Sequence, residues 1–223
     1  MRIIIVRHGQ PNYEKDCLTP LGIRQAKAAA ERLKDEGIEE IYSSPMGRAR
    51  QTAQETADLL GIREIKILDF MHELPWGTEG GPLYADGHPW NIADELVRQG
   101  WDLNRTDWPE HPYFVRNVVT KAVQGIAPCT DAWLATLGLQ REGLYYRCTR
   151  EDDVQHTVAL FCHGGSSTAL LAQMFNLTFP YLCATVHLGF TGIATIRFSR
   201  TPGDVYVPHM EILGDERHLL GVE

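Results

Sequence analysis

Apolar positions along the chain cluster into short runs set between stretches of helical spacing. Residues 2–6 are apolar almost without break (Ile3-Ile4-Ile5-Val6), the pattern of a strand buried on both faces. Thr19-Pro20 then supplies a capping side chain followed by proline, which predicts a helix start. Ala26, Ala29, Ala30 and Leu33 keep helical spacing, and Gly37 ends the run. Residues 38–43 predict a second strand. Pro45 opens a second helix to about Leu60, closed by Gly61, and residues 64–68 alternate as a third strand. Residues 157–162 (Thr-Val-Ala-Leu-Phe-Cys) resume the buried-strand pattern, and Gly164-Gly165 turns into a helix through about Phe175. Residues 190–198 and 205–212 predict closing strands. The order β-α-β-α-β implies an α/β three-layer sandwich, with a mostly parallel central sheet and helices on both faces.

Residues 74–150 break this rhythm. All five tryptophans fall here (Trp76, Trp90, Trp101, Trp108, Trp133), beside prolines at 75, 82, 89, 109 and 112. Helical spacing returns over 113–138 at Val115, Val119, Ala122, Ile126 and Trp133, with a kink expected near Pro128. We read residues 1–223 as a single domain and 74–150 as an inserted cap of helices and loops over the sheet's active end, since so short an insertion packs on its host. Its tryptophans suit packing better than a ligand cage.

Composition narrows the function classes. Of 223 residues, 43% are hydrophobic and 22% charged, as in an ordinary soluble globule. A formal net charge of −8 argues against nucleic acid as a general partner, since that needs a basic surface. An anionic substrate must therefore meet a local positive pocket. No apolar run is long enough for a membrane span. The strand that starts at residue 2 leaves no room for a secretory leader, which predicts a cytoplasmic protein. The five cysteines (17, 129, 148, 162, 183) are odd in number and show no C-x-x-C spacing. Reduced thiols are expected, with neither a disulfide framework nor a structural zinc site. No His-x-x-x-His pair suggests a metal, so neither metal nor cofactor is expected.

Candidate chemistry gathers where strands end. In a parallel α/β sheet ligands bind beyond the carboxyl ends of the strands. Arg7, His8 and Gly9 follow the first strand, Ser43-Ser44-Pro45-Met46-Gly47-Arg48 the second, His72-Glu73 the third, and His163-Gly164-Gly165 the strand at 157–162. Arginine carries a donor fork that fits phosphate, histidine is a nucleophile or proton carrier near neutral pH, and Gly9 would permit close approach of backbone to ligand. A phosphoryl group in transfer needs charge stabilisation and positioning. Arg7 and Arg48 can clamp its oxygens and a protonated His163 can add a third donor. Neutral His8 can attack to give a phosphohistidine, helped by arginines that oppose its protonation. Glu73 can protonate the leaving oxygen and then activate water, a role that requires a raised pKa.

Each assignment has a rival. Arg50 competes with Arg48 and Glu79 with Glu73. His8 and His163 could be structural groups at strand ends, although a strand-His-Gly-Gly-helix turn is a natural anion site.

Together, Arg7-His8-Gly9-Gln10, Ser43-Ser44-Pro45-x-x-Arg48-Ala49-x-Gln51-Thr52-Ala53, Glu73 and His163-Gly164-Gly165 resemble the histidine phosphatase superfamily, of phosphoglycerate mutase-like fold. The resemblance covers roughly residues 1–80 and 155–220, and extends to a tail, Leu213-Gly214-Asp215-x-x-His218-Leu219, similar to a common ending in that family. It implies that His8 is the phosphorylated nucleophile and that Arg7, Arg48 and His163 form the phosphate pocket. It further implies that Glu73 is the proton donor, that Asn12 makes a further phosphate contact, and that Gly164 donates a backbone amide. Mutases of the family follow the donor glutamate with Arg, His and Tyr residues that grip the substrate's second charged group. Here Glu73-Leu74-Pro75-Trp76-Gly77-Thr78-Glu79-Gly80 departs from that pattern and looks like the phosphatase branch. The expected activity is metal-independent hydrolysis of a phosphomonoester on a small-molecule or protein substrate. The alternatives are a phosphoglycerate mutase-type isomerase and a non-catalytic phospho-ligand binding module. A cysteine phosphatase is excluded, because no arginine completes a C-x-x-x-x-x-R frame after Cys162. No self-complementary face is legible, so the sequence sets no oligomeric state.

Overall fold

The computed structural model describes residues 1–222. The opening apolar run forms β1 (Arg2–Arg7), followed by a small hairpin of β2 (Pro11–Asn12) and β3 (Cys17–Leu18). Helix α1 (Pro20–Leu33) begins where the Thr19 side chain accepts the Gly22 amide. Strand β4 (Glu40–Ser43) leads to α2 (Gly47–Leu60), which Gly61 closes in the left-handed conformation, and then to β5 (Ile65–Ile67). The second helix starts two residues later than Pro45 suggests, because Gly47 turns its amide to the side chain of Asp16, at 2.6 Å.

The middle of the chain holds α3 (Pro89–Arg98), α4 (Val118–Thr136) and a hairpin of β6 (Leu139–Glu142) and β7 (Tyr145–Cys148). Then come β8 (Thr157–Cys162), α5 (Gly164–Phe175), α6 (Phe179–Thr185), β9 (Ile193–Arg197), β10 (Val205–Tyr206) and β11 (His209–Asp215). The expected strand over 205–212 is two strands in different sheets. β10 pairs with β7, whereas β11 joins the central sheet beside β9. Pro208 lies at the break, and proline has no N–H for a ladder.

The central sheet has the order β11-β9-β1-β8-β4-β5. β1, β8, β4 and β5 are parallel, and β9 runs against both β1 and β11. The two-residue period of a strand divides its side chains between two cores. Ile4, Val6, Ile41, Ala159, Phe161 and Ile193 pack with Leu33 of α1 and Ala53 and Ala57 of α2. Ile3, Ile5, Tyr42, Val158, Leu160 and Ile196 face the other way, toward α4 and α5. Trp133 of α4 meets the Tyr42 ring at 5.4 Å.

The stretch 74–150 is thus divided. Its α4 covers a sheet face and contributes Val119, Ile126, Trp133 and Leu134 to the main core. The segment around Trp76, His88 and Trp90 lines a cavity at the carboxyl ends of the strands. The helix over 113–138 begins at Val118, where Asn117 caps it, and Pro128 lies inside it. The β6–β7 hairpin was not expected. Its signal is Gly143, at φ 62°, between two runs of four residues.

All five cysteines are free, three of them buried. Among the described residues, no helix is long and apolar enough to cross a membrane.

Candidate active site

Arg7 ends β1, and His8 follows with its amide bonded to the Cys162 carbonyl of β8 at 2.9 Å. Gly9 is indeed a point of close approach, but to the protein itself. A Cβ there would stand 2.6 Å from the Gly22 carbonyl of α1, so the Arg-His-Gly loop lies directly on the first turn of that helix. The Gln-Thr of the second motif secures the same region. Thr52 Oγ1 accepts the Gly9 amide at 3.0 Å, and Gln51 Oε1 accepts the Leu18 amide at 2.7 Å.

His8 is buried, with 1% of its surface exposed. Its Nδ1 lies 2.7 Å from the Gly9 carbonyl. A carbonyl can only accept, so Nδ1 carries the proton and the lone pair is on Nε2. Burial, reinforced by the charges of Arg48 and Arg7 and opposed by the Gly9 bond, lowers the imidazole pKa to about 4. His8 is therefore neutral near pH 7 and holds a nucleophilic nitrogen.

Arg48 approaches that nitrogen, with Nε 3.3 Å from His8 Nε2. It is buried, and its other arm is held by Asp16 at 2.5 Å. Arg50, its sequence rival, is exposed. Arg7 donates from one terminal nitrogen to the Leu188 carbonyl at 2.7 Å and lies over the Phe190 ring, while its buried Nε has no partner.

His163 is fully buried beside His8, with ring centroids 5.1 Å apart. Burial pushes its pKa far below the ordinary value, with the positive neighbours adding to the effect. The third donor that a protonated His163 would add is therefore left to a neutral ring. The Ser44 hydroxyl meets its Nε2 at 2.7 Å and accepts the Met46 amide at 3.3 Å. With the hydroxyl proton directed to Nε2, the ring's own proton is on Nδ1, which is buried and unpartnered. A neutral His163 can still donate one hydrogen bond to an incoming oxyanion.

Glu73 lies six residues beyond β5, past a short turn at Asp69–Met71. Its Oε1 accepts the amides of Leu74 at 2.9 Å, Gly165 at 2.9 Å and Ser166 at 3.2 Å. At the start of α5 the Gly165 and Ser166 amides are thus taken by the protein's own carboxylate, and the Gly164 amide is not. Glycine at 165 leaves room for this seat, since a Cβ there would stand 2.6 Å from Glu73 Oε1 and displace it. Burial raises the carboxyl pKa, against the opposing pull of these amides and of Arg7. With three donors on Oε1, a proton on this carboxyl would sit on Oε2. Glu79, the rival carboxylate, is exposed and paired with Lys121 at 2.8 Å.

Asn12 lies in β2, where its Oδ1 accepts the Lys15 amide at 3.1 Å. Gly164 begins α5 beside Arg7: a Cβ on it would lie 3.6 Å from the guanidinium. Arg7, Glu73 and Gly164 share a cavity of about 230 Å3 with Tyr13, Trp76, His88 and Trp90. Sequence reasoning missed Asp16, Ser44, Phe190 and the lining tryptophans. Ser44 stood inside a recognised motif, but no local signal links Asp16 to Arg48 or Phe190 to Arg7. The tail residues are structural. Asp215 binds Arg32 of α1 at 3.1 Å, and His218 meets Thr191 at 3.0 Å.

Such an arrangement of two arginines, two histidines and a carboxyl of raised pKa at strand ends suits the binding and transfer of a phosphoryl group. The chain belongs to the histidine phosphatase superfamily (branch 1), whose profile matches residues 3–129. Among curated proteins it is 30% identical over 119 residues to a putative phosphoserine phosphatase 2 of Hydrogenobacter thermophilus, covering 48% of this chain and 56% of that protein. It is 38% identical over 71 residues to a probable phosphoglycerate mutase of Yersinia pestis, covering 28% and 33%. The matched segments thus span about half and a third of those relatives. Among solved structures, phosphoserine phosphatase of Entamoeba histolytica in complex with 3-phosphoglyceric acid is similar at TM-score 0.63 and 23% identity, over 98% of both chains. A mycobacterial glucosyl-3-phosphoglycerate phosphatase with inorganic phosphate is similar at TM-score 0.66 and 21% identity, over 97% of this chain and 98% of that one. At these identities the structural likeness defines the fold.

Proposed function

We propose that this protein hydrolyses phosphomonoesters through a phosphohistidine on His8, without a metal. The observation that carries the reading is the pairing of a neutral His8, whose Nε2 lone pair faces Arg48, with a half-buried Glu73 of raised pKa. Arg7, Arg48 and the Nδ1 proton of His163 hold the non-bridging oxygens, with Asn12 and the Gly164 amide as further phosphate contacts. His8 Nε2 forms a bond to phosphorus as the bond to the ester oxygen breaks. Glu73 gives its proton to that oxygen, and the alcohol leaves. The carboxylate then takes a proton from water, which attacks phosphorus and releases His8 and inorganic phosphate. Residues 74–150 act in part as a cap that walls the cavity where the alcohol sits, within a single domain.

Mutase-type transfer is the reading suggested by the Yersinia relative, and the Glu73–Gly80 segment speaks against it. The test is turnover of 4-nitrophenyl phosphate in excess chelator, beside a His8→Ala variant. Hydrolysis that survives chelation and disappears in the variant is expected, with an acid-labile phosphoenzyme trapped only in the parent. Turnover that requires metal, or persists without His8, overturns the mechanism.

A further inference from the structure

The cavity beside Glu73 indicates which alcohols the site accepts; this inference rests on the phosphatase reading above. Glu73 must reach the leaving oxygen to protonate it, so the alcohol extends from that oxygen into the space Glu73 lines. That space is small, about 230 Å3. A cavity of roughly 150 Å3 already holds a benzene, whereas drug-sized ligands occupy roughly 300–1,000 Å3. One ring with a short link to phosphate fits.

Part of the wall is aromatic and aliphatic, beside Thr168 and the polar groups around the phosphate position. The His88 ring lies 4.9 Å from Trp76 and 5.3 Å from Trp90, making one continuous aromatic surface. Val186 and Leu188 also line the cavity, and the exposed Tyr13 and His187 stand at its rim. Burial lowers the His88 pKa, which favours the uncharged imidazole. Arg7 is the sole lysine or arginine among the described lining residues, and the phosphoryl group uses it. The one carboxyl in the lining is Glu73, which repels a second anion as soon as it ionises.

We propose that the site selects phosphomonoesters of small, uncharged alcohols that carry a single ring, seated on the Trp76–His88–Trp90 surface, and disfavours esters with a carboxylate near the phosphate. Non-hydrolysable phosphonates separate this from catalysis. Calorimetry on the intact protein compares benzylphosphonate, methylphosphonate and phosphonoacetate. Benzylphosphonate should bind roughly tenfold more tightly than methylphosphonate, the order expected for partial burial of one ring. Phosphonoacetate should bind no better than methylphosphonate. Trp76→Ala, at a half-exposed position that folding tolerates, should shrink the benzyl-to-methyl ratio to about threefold or less. Phosphonoacetate binding more tightly than benzylphosphonate overturns the proposal. So does a benzyl preference that survives both Trp76→Ala and Trp90→Ala.

Hydrolysis of benzyl phosphate, ethyl phosphate and phosphoserine completes the test, because all three leave as alkyl alcohols. A benzyl preference in binding with no His8-dependent turnover of any ester sinks the phosphatase reading and keeps the pocket assignment. His8-dependent turnover with no preference for the benzyl ester does the reverse.

Discussion

Glu73 Oε1 accepts the Gly165 amide at 2.9 Å, which seats the carboxylate on the amino end of the helix that begins beside His163. The helix dipole and its free amides favour a charged carboxylate, whereas burial favours a protonated one, and burial dominates. The balance favours the protonated form more than in an ordinary carboxyl, which suits a group that must give up a proton.

Gly165→Ala tests that seat. The new methyl group falls 2.6 Å from Glu73 Oε1, so the carboxyl must shift. We expect kcat for an alkyl phosphate to fall about 10²-fold, the scale of losing general-acid catalysis. Competitive inhibition by inorganic phosphate should change little. A parent-like kcat would show that Glu73 does not need the helix.

The pH profile should carry two signatures. Activity rises with pH as His8 loses its proton, near 4 in the free protein, and falls as Glu73 ionises above the ordinary carboxylate range. Substrate ionisation overlaps these limbs but is common to parent and variant. The parent-to-Glu73→Gln ratio of kcat/KM should therefore decline with rising pH, and a flat ratio would remove Glu73 as the acid.

Asp16 positions Arg48 from outside the site, through an ion pair at 2.5 Å. Asp16→Ala should lower kcat/KM roughly tenfold, the scale of one hydrogen bond to a charged group. Arg48→Ala should cost about 10²–10³-fold, as for loss of one donor to a developing oxyanion. Asp16→Asn should recover part of the loss, since it can still accept from Arg48. Equal defects in Asp16→Ala and Asp16→Asn would assign the effect to charge alone.

Stability should depend on the buried neutral His8. Unfolded histidine takes up a proton near 6.5, whereas folded His8 waits until about 4. The unfolded state therefore binds more protons in this interval, and stability falls as pH is lowered through it. From pH 7 to pH 5 the loss from His8 is about 2 kcal/mol. Urea unfolding of the parent and of His8→Gln at the two pH values measures it, and the variant should lose less.

Trp133 belongs to the fold and not to the site. Trp133→Ala empties a buried position against Tyr42 and should destabilise by about 3–5 kcal/mol. KM should stay unchanged in the folded population. A change in KM would place α4 in substrate binding.

The strands and helices that carry His8, Arg48 and His163 were legible in the sequence because their signals are local. A continuous Ile3–Val6 run, a Thr19-Pro20 cap and a glycine after Leu60 each act within a few residues. The β6–β7 hairpin and the division of 205–212 were harder, since their pairing partners are distant in the chain. Spacing could not show that α4 covers a sheet face, because Val119, Ile126 and Trp133 would look alike on a cap or a core helix.

The candidate site divides along the same line. The residue types and their order at four strand ends were determined by sequence alone, as was the carboxylate to pair with them. The protonation of those groups was decided only in three dimensions, by burial and by partners far along the chain. Burial keeps His163 neutral, the Gly9 carbonyl leaves the lone pair on His8 Nε2, and the Gly165 and Ser166 amides of α5 receive Glu73 in place of a ligand. A proton's position depends on solvent access and on which dipoles point at the atom, and both are properties of the packed molecule.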